Sequence, residues 1–341
     1  MSKIDLKNIS HSYNPNDPNP TYALNPFSMT WENGKRYAIL GPSGCGKTTM
    51  LNIVSGLVRP SAGNILFDDK DVTNLKTESR NIAQVFQFPV IYNTMTVYEN
   101  LAFPLKCRDF LKDKIEERVN SVADTLNLKS FLNSPARKLT ADQKQLISLG
   151  RGLVREDVAA VLMDEPLTVI DPDLKFRLRR KLKEINEEFK TTLVYVTHDQ
   201  NEAMTFADNI IVMSEGEVVQ AGTPKELFER PNTTFVGYFI GSPAMNLFES
   251  EVSSNDGVKI NNTLVKTNTD LSSLKSKNIK LGIRSEFIKI AENQKENILN
   301  VDVEKVEDLG NYKLLTAKMG NLTIKSKINR ETEVPSHNVK L

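Results

Sequence analysis

Gly41-Pro42-Ser43-Gly44-Cys45-Gly46-Lys47-Thr48-Thr49 follows directly on the apolar run Arg36 to Leu40 and opens a predicted helix. The form G-x-x-x-x-G-K-[ST] between a strand and a helix is that of a loop that wraps phosphate. Its glycines let the chain turn backbone N–H groups inward. The helix N-terminus adds partial positive charge. In that arrangement Lys47 reaches the β- and γ-phosphates, and Thr48 is a magnesium ligand. The expected ligand is ATP with Mg2+, cradled by all nine residues from Gly41 to Thr49.

Such a loop needs a magnesium-holding acid from a second strand. Ala159-Ala160-Val161-Leu162-Met163-Asp164-Glu165 supplies it: five apolar residues make a buried strand, with two carboxylates at its carboxyl end. That is where α/β sheets place ligands. Asp164 is expected to hold the metal through water, and Glu165 to act as general base on the attacking water. A third apolar run, Thr192 to Val196, ends in Thr197-His198-Asp199. His198 is the candidate that contacts the γ-phosphate and keeps water and base in line.

The rest of the chain bounds the reading. It has 341 residues, enough for two domains. The net charge is +1, so no long-range field collects nucleic acid, and neither DNA nor RNA is an expected partner. No apolar run approaches the roughly 20 residues that span a bilayer. Met-Ser-Lys-Ile-Asp-Leu-Lys has no apolar core of a secretory signal. Two cysteines, Cys45 and Cys107, make no disulfide framework and suit a reducing cytosol.

Up to about residue 235, short apolar runs alternate with helical stretches, the mark of a largely parallel sheet covered by helices. Asn209 to Gln220 reads as a hairpin. A helix follows, with Thr223 as N-cap, Pro224 first and Glu226 third. Beyond Gly241-Ser242-Pro243, short alternating strands appear at Ile279 to Ile283, Val301 to Val306 and Asn321 to Lys325. The expected fold is therefore α/β, a nucleotide-binding core over residues 1–240. A small all-β module, OB-like or sandwich, spans 241–341. The charged stretch Lys175 to Lys190 reads as a solvated helix face with i,i+4 pairs.

These motifs, in this order, resemble the ATP-binding subunit of ABC transporters, in particular the sugar and polyol importer branch, over essentially the whole chain. The resemblance implies a helical subdomain inserted in the core at about residues 88–154. It implies that Gln87, in Val85-Phe86-Gln87, senses magnesium and γ-phosphate, and that Asn93 to Pro104 forms the surface for a permease coupling helix. It makes Asp171 the D-loop aspartate and Tyr13, in Ser10-His11-Ser12-Tyr13, the ring that stacks on adenine, with Tyr22 as the alternative. Leu281-Gly282-Ile283-Arg284 and Val306 to Gly310 resemble the family's β-rich regulatory domain, although the final strands read short. The implied partners are two transmembrane permeases and, through them, an extracytoplasmic solute-binding protein. The implied place is the cytoplasmic face of the membrane. A soluble ABC ATPase acting on DNA or ribosomes fits less well, because the chain has one head and no heptads.

The sequence departs from the family at its signature loop. Where the family has Leu-Ser-Gly-Gly-Gln, facing the γ-phosphate of the opposite subunit, this chain has Leu139-Thr140-Ala141-Asp142-Gln143. Thr140 keeps a hydroxyl, and with Gln143 it predicts a capping box. Asp142 puts a carboxylate where phosphate is to be attracted. Two unit charges about 6 Å apart repel by about 3 kcal/mol at an effective dielectric near 20. The expectation is a heterodimer with a second, non-identical ATPase, in which the site built on Lys47 and Glu165 is the active one. Phe86 to Tyr92 and Lys138 to Arg155 resemble the subgroup that imports glycerol with two ATPases, so glycerol is the expected solute. The alternatives are glycerol 3-phosphate or a disaccharide, with a homodimer. A mainly ATP-binding regulatory subunit is the third reading, against which intact Glu165 and His198 argue.

Overall fold

Apolar runs of about five residues are too short for helices and long enough to cross a sheet, so they become strands buried on both faces. The computed structural model describes residues 2–168, 170–274, 278–291, 296–335 and 337–341. The chain divides into two units, Met1–Pro224 and Lys225–Leu341.

The first unit runs β1 (Ile4–Ser12), β2 (Tyr22–Trp31), β3 (Arg36–Leu40), α1 (Lys47–Ser55), β4 (Ala62–Phe67), β5 (Lys70–Asp71) and β6 (Ile82–Val85). Then come α2 (Val97–Lys106), α3 (Lys112–Thr125), α4 (Ala141–Leu153), β7 (Ala160–Asp164), α5 (Pro172–Phe189), β8 (Leu193–Thr197), α6 (Gln200–Phe206), β9 (Asn209–Ser214) and β10 (Glu217–Gly222). The central sheet has the order β10-β9-β3-β8-β7-β6. Its strands are parallel except β10, which returns from β9 as the expected hairpin.

Alternation fixes the two faces of this sheet. Val161 and Met163 of β7, with Leu193 and Tyr195 of β8, enter the core shared with α2, α3, α4 and α5. Ala160, Leu162, Val194 and Val196 enter the opposite core, with α1 and Trp31. A second sheet, β2-β1-β4-β5, is antiparallel throughout and lies outside the parallel pattern expected from sequence. The helices α2 to α4 occupy the stretch between β6 and β7. Among the described residues, no helix is long and apolar enough to cross a membrane.

α1 is fastened at its far end. Gly56 takes a left-handed backbone, and its N–H returns to the Ile53 carbonyl. Arg80, 2% exposed, donates to the carbonyls of Ile53 (2.7 Å), Val54 (3.0 Å), Thr73 (2.8 Å) and Leu75 (3.1 Å). A guanidinium there both pairs the last carbonyls and complements the negative helix end.

The second unit contains α7 (Pro224–Glu229), α8 (Thr234–Phe239), β11 (Asn246–Val252), β12 (Gly257–Ile260), β13 (Thr263–Lys266) and β14 (Asn278–Ile283). β15 (Asn300–Asp308), β16 (Tyr312–Met319), β17 (Leu322–Asn329) and β18 (Val339–Lys340) complete it. Two four-stranded antiparallel sheets, β13-β12-β11-β14 and β17-β16-β15-β18, share one apolar core. Composition changes near residue 240, but the unit begins at Lys225. Its α7 and α8 are tied to the strands by buried Arg284, which donates to the carbonyls of Phe228, Gly237 and Ile240.

Candidate active site

The loop after β3 has the shape its glycines allow. Gly46 has φ +99°, and a Cβ there would lie 2.4 Å from the Ala23 carbonyl oxygen and 2.8 Å from Leu24 Cδ2. Only glycine fits that backbone and that gap. Gly44, at φ +80°, has open space on the cleft side. The Lys47 Nζ is buried and donates to the carbonyls of Gly41 and Pro42, at 2.8 Å each. α1 starts with no side-chain cap and no acid in its first turn, so its first N–H groups stay free for an anion.

β7 delivers the two acids at its carboxyl end, as expected: Asp164 is the last strand residue and Glu165 follows it. Asp164 is buried. Burial pushes its carboxyl up from the ordinary value, while the Thr48 hydroxyl pulls it down; neighbouring Glu165 adds to the rise, and Lys47 opposes it. Glu165 follows with φ +44°, while its N–H still donates to the Val196 carbonyl. A left-handed backbone at a non-glycine residue is unfavourable by about 1–3 kcal/mol and persists where surroundings over-determine it. Here it swings the carboxylate off the strand axis. Its Oε2 lies 3.2 Å from His198 Nδ1 and 3.3 Å from Thr168 Oγ1.

His198 sits between two fixed neighbours. Thr197 Oγ1 donates to Glu202 at 2.8 Å and accepts from the Asp199 N–H. Asp199 caps α6. The imidazole itself is 58% exposed, open to the cleft. Tyr13 stands just past β1, with its ring edge-on to His11 and its hydroxyl 3.2 Å from Thr49 Oγ1. It is 61% exposed, so a face is available for a base.

A cleft of about 560 Å³ is lined by Tyr13, Ser43, Gly44, Gly46, Lys47, Thr48, Thr49, Gln87, Glu165 and His198, with Ala23 and Thr168. Residues from six separate stretches of sequence thus meet in one place. Gly41, Pro42 and Cys45 belong to the loop but do not line the cleft, and neither does Asp164. Thr140, Gln143 and Asp171 are not among the lining residues either. Thr140 and Gln143 hold each other: the Gln143 N–H donates to Thr140 Oγ1 at 3.3 Å, and the Thr140 N–H to Gln143 Oε1 at 3.0 Å. Asp171 caps α5 through the N–H groups of Asp173 and Leu174. Tyr22 lies on β2, opposite Ser12, outside the lining.

Sequence reading missed Thr168 and Ala23. Thr168 is three residues beyond Glu165, where a hydroxyl returns to both the Glu165 carbonyl and its carboxylate. That spacing was the available signal. Ala23 contributes through its backbone, which no residue type announces.

The donor set suits magnesium. Thr48 hydroxyl, Asp164 carboxylate and the Gln87 amide offer hard oxygens only. Among the described residues there is no cluster of three His, Cys, Asp or Glu that would hold a metal by itself. Mg2+ is commonly bound by one or two protein oxygens and completed by water and phosphate.

Comparison with known proteins follows the same line. Residues 24–168 match the ABC transporter family. The chain is 40% identical to the sn-glycerol-3-phosphate import ATP-binding protein UgpC of Psychromonas ingrahamii, over 93% of this chain and 83% of that one. It is 37% identical to the trehalose/maltose import ATP-binding protein MalK of Thermococcus litoralis, over 92% of this chain and 88% of that one. Among solved structures, it resembles a dimeric ATP-binding cassette in a post-hydrolysis state bound to ADP and Pi. The TM-score is 0.59 with 28% identity, over 65% of this chain and 98% of that one.

Proposed function

The chain belongs to the ABC transporter family as an ATPase coupled to transport, and from that premise we propose that it energises import of glycerol 3-phosphate or a closely related small polyol or sugar. The observation that carries the mechanism is the shared cleft: phosphate loop, Gln87, Glu165 and His198 line one space.

The chemistry follows from that grouping. Loop N–H groups and Lys47 take the phosphate charge. Thr48, Gln87 and Asp164 would hold Mg2+, which would supply positive charge to offset that of the phosphates. Glu165 accepts the proton of the attacking water, and His198 keeps the carboxylate turned toward it. Tyr13 stacks on the base. The ATPase sits at the cytoplasmic face of the membrane, against two permeases that receive solute from an extracytoplasmic binding protein. Residues 93–104 meet those permeases. The second unit is a regulatory-type domain.

Glycerol itself is the reading suggested by Phe86 to Tyr92, but the names of the relatives support its phosphate ester instead. Pairing with a second, non-identical ATPase rests on one observation, Asp142 in the first turn of α4. A dimer of this chain, with each Thr140–Gln143 loop facing the partner's cleft, needs no further component and is the first reading. The mass of the complex purified through this chain separates the two.

The direct test is Glu165→Gln. Hydrolysis is expected to fall by about a thousandfold while ATP stays bound, as for removal of a base from a preorganised site. Uptake of labelled glycerol 3-phosphate is expected to stop in cells lacking the chain and to return with it. Undiminished uptake of that ester, with loss of a disaccharide instead, would overturn the solute assignment and leave the ATPase assignment standing.

A further inference from the structure

α4 carries a stripe of polar side chains that none of the motifs accounts for. Gln145 is fully buried, and its amide nitrogen donates twice, to the Phe86 carbonyl at 3.2 Å and to the Pro166 carbonyl at 2.9 Å. Both of its N–H bonds are thereby used. Phe86 immediately precedes Gln87, and Pro166 immediately follows Glu165. One turn further along α4, Ser148 Oγ accepts from the Val90 N–H at 3.3 Å. Arg151 donates to the Val90 carbonyl and lies 4.7 Å from the Tyr92 ring centroid. The loop leaving β6 is therefore fixed along one helix at successive points.

The second heteroatom of Gln145 is the informative one. Its Oε1 is buried without a partner among the described residues. An unpaired buried acceptor is unfavourable. A leucine would fill similar space without that penalty, so packing alone does not explain an amide here. The two donated bonds do.

We propose that Gln145 is a positioning residue that ties the loop bearing Gln87 to the loop bearing Glu165 through one side chain. The two groups then reach the cleft in a fixed relation, and a shift of α4 carries both. Thr140 caps α4, so the same helix that presents the altered signature loop also sets the spacing of the hydrolytic groups. The tie rests on the roles proposed above for Gln87 and Glu165.

The experiment compares ATP hydrolysis by the full-length chain in five forms: parent, Gln145→Leu, Gln87→Ala, the Gln145→Leu/Gln87→Ala double variant, and Glu165→Gln. Gln145→Leu is expected to fold and to keep KM for ATP within about twofold, while kcat falls about tenfold to a hundredfold, as for a small misplacement of reacting groups. The discriminating quantity is the double variant. If Gln145 acts through the Gln87 loop, it loses little more than Gln87→Ala alone, because the two changes remove one unit. A residue with only a structural part gives losses that multiply, and that result overturns the tie, as does an unchanged kcat in Gln145→Leu. Should Gln145→Leu not fold, Gln145→Met, unbranched and without a donor, takes its place. Failure of both to fold makes Gln145 structural and also overturns the tie. Full hydrolysis by Glu165→Gln is a different failure: it removes the proposed base, and the tie with it.

Discussion

α1 and α4 begin in opposite ways, although the family resemblance assigns the N-terminus of each to a phosphate. α1 starts from a left-handed glycine, with no side-chain cap and no acid of its own. Its acid is lent by another strand: Asp164 of β7 stands against the Thr48 hydroxyl. α4 starts from Thr140 and closes itself, with both bonds of a capping box made and Asp142 in its first turn. The first arrangement is poor for an isolated helix and good for an anion. The second is good for the helix and poor for an anion. What α1 lacks at its N-terminus is supplied at its other end by Gly56 and Arg80. An open N-terminus is tolerated because tertiary structure holds the helix.

The sharpest way to break the contrast is to close α1. Gly46→Ala forces a Cβ against the Ala23 carbonyl and strains the left-handed backbone. Displacing the loop by an ångström is expected to lower hydrolysis by about a hundredfold or more, measured as kcat/KM for ATP. Releasing the anchored end comes next. Arg80→Leu takes the guanidinium donor from four carbonyls, of which Ile53 keeps the Gly56 N–H. Denaturant titration is expected to show a loss of about 3 kcal/mol or more, from several buried acceptors at 1–3 kcal/mol each.

Opening α4 gives a smaller change of opposite sign. Asp142→Gly is expected to raise ATP turnover by up to about tenfold at low salt, less as salt screens the carboxylate. An unchanged or lower turnover at every salt concentration removes Asp142 as a repulsive element. Thr140→Ala should lower stability by about 1 kcal/mol, the usual loss of an N-cap, with little change at α1.

The smallest effect on stability concerns the lent acid. The Asp164 carboxyl is raised in the folded chain, first by burial and then by Glu165, against the pull of Thr48 and Lys47. A carboxyl raised on folding binds its proton more tightly in the native state, so native stability falls as pH climbs from the ordinary aspartate value through the raised one. Near neutral pH the charge is a net burden on the chain alone. Asp164→Asn is therefore expected to raise the melting temperature of the nucleotide-free protein slightly at pH 7, and not at pH 3, while abolishing magnesium-dependent hydrolysis. A lower melting temperature at pH 7 would mean that Thr48 and Lys47 outweigh burial.

How much of this was legible depended on how local the cause is. The run before the phosphate loop, the strand ending in Asp164, the hairpin Asn209 to Gly222 and the Thr140–Gln143 box all declare themselves within a few residues. The antiparallel sheet around β1 does not. Asn8 has φ +49°, and the register shifts between Leu6 and Ile9 and again between Ile9 and His11. Those breaks erase the alternation on which strand reading relies. In the cleft, the residues within motifs were readable. Gln145 was not, because its partners lie 59 and 21 residues away and no spacing rule connects them. The start of the second unit was hidden for a similar reason. α7 and α8 look like the end of the helical region until Arg284 is seen to bind them to the strands. β17 has eight residues and β18 two.

The Lys47 ammonium, held by the carbonyls of Gly41 and Pro42, sits in its loop much as a cation sits in a crown ether. Two of its three N–H groups are taken by oxygens of the chain that bears it. A phosphate entering the loop exchanges one set of oxygens for another. Recognition at this point is an exchange of hydrogen-bond acceptors at nitrogen.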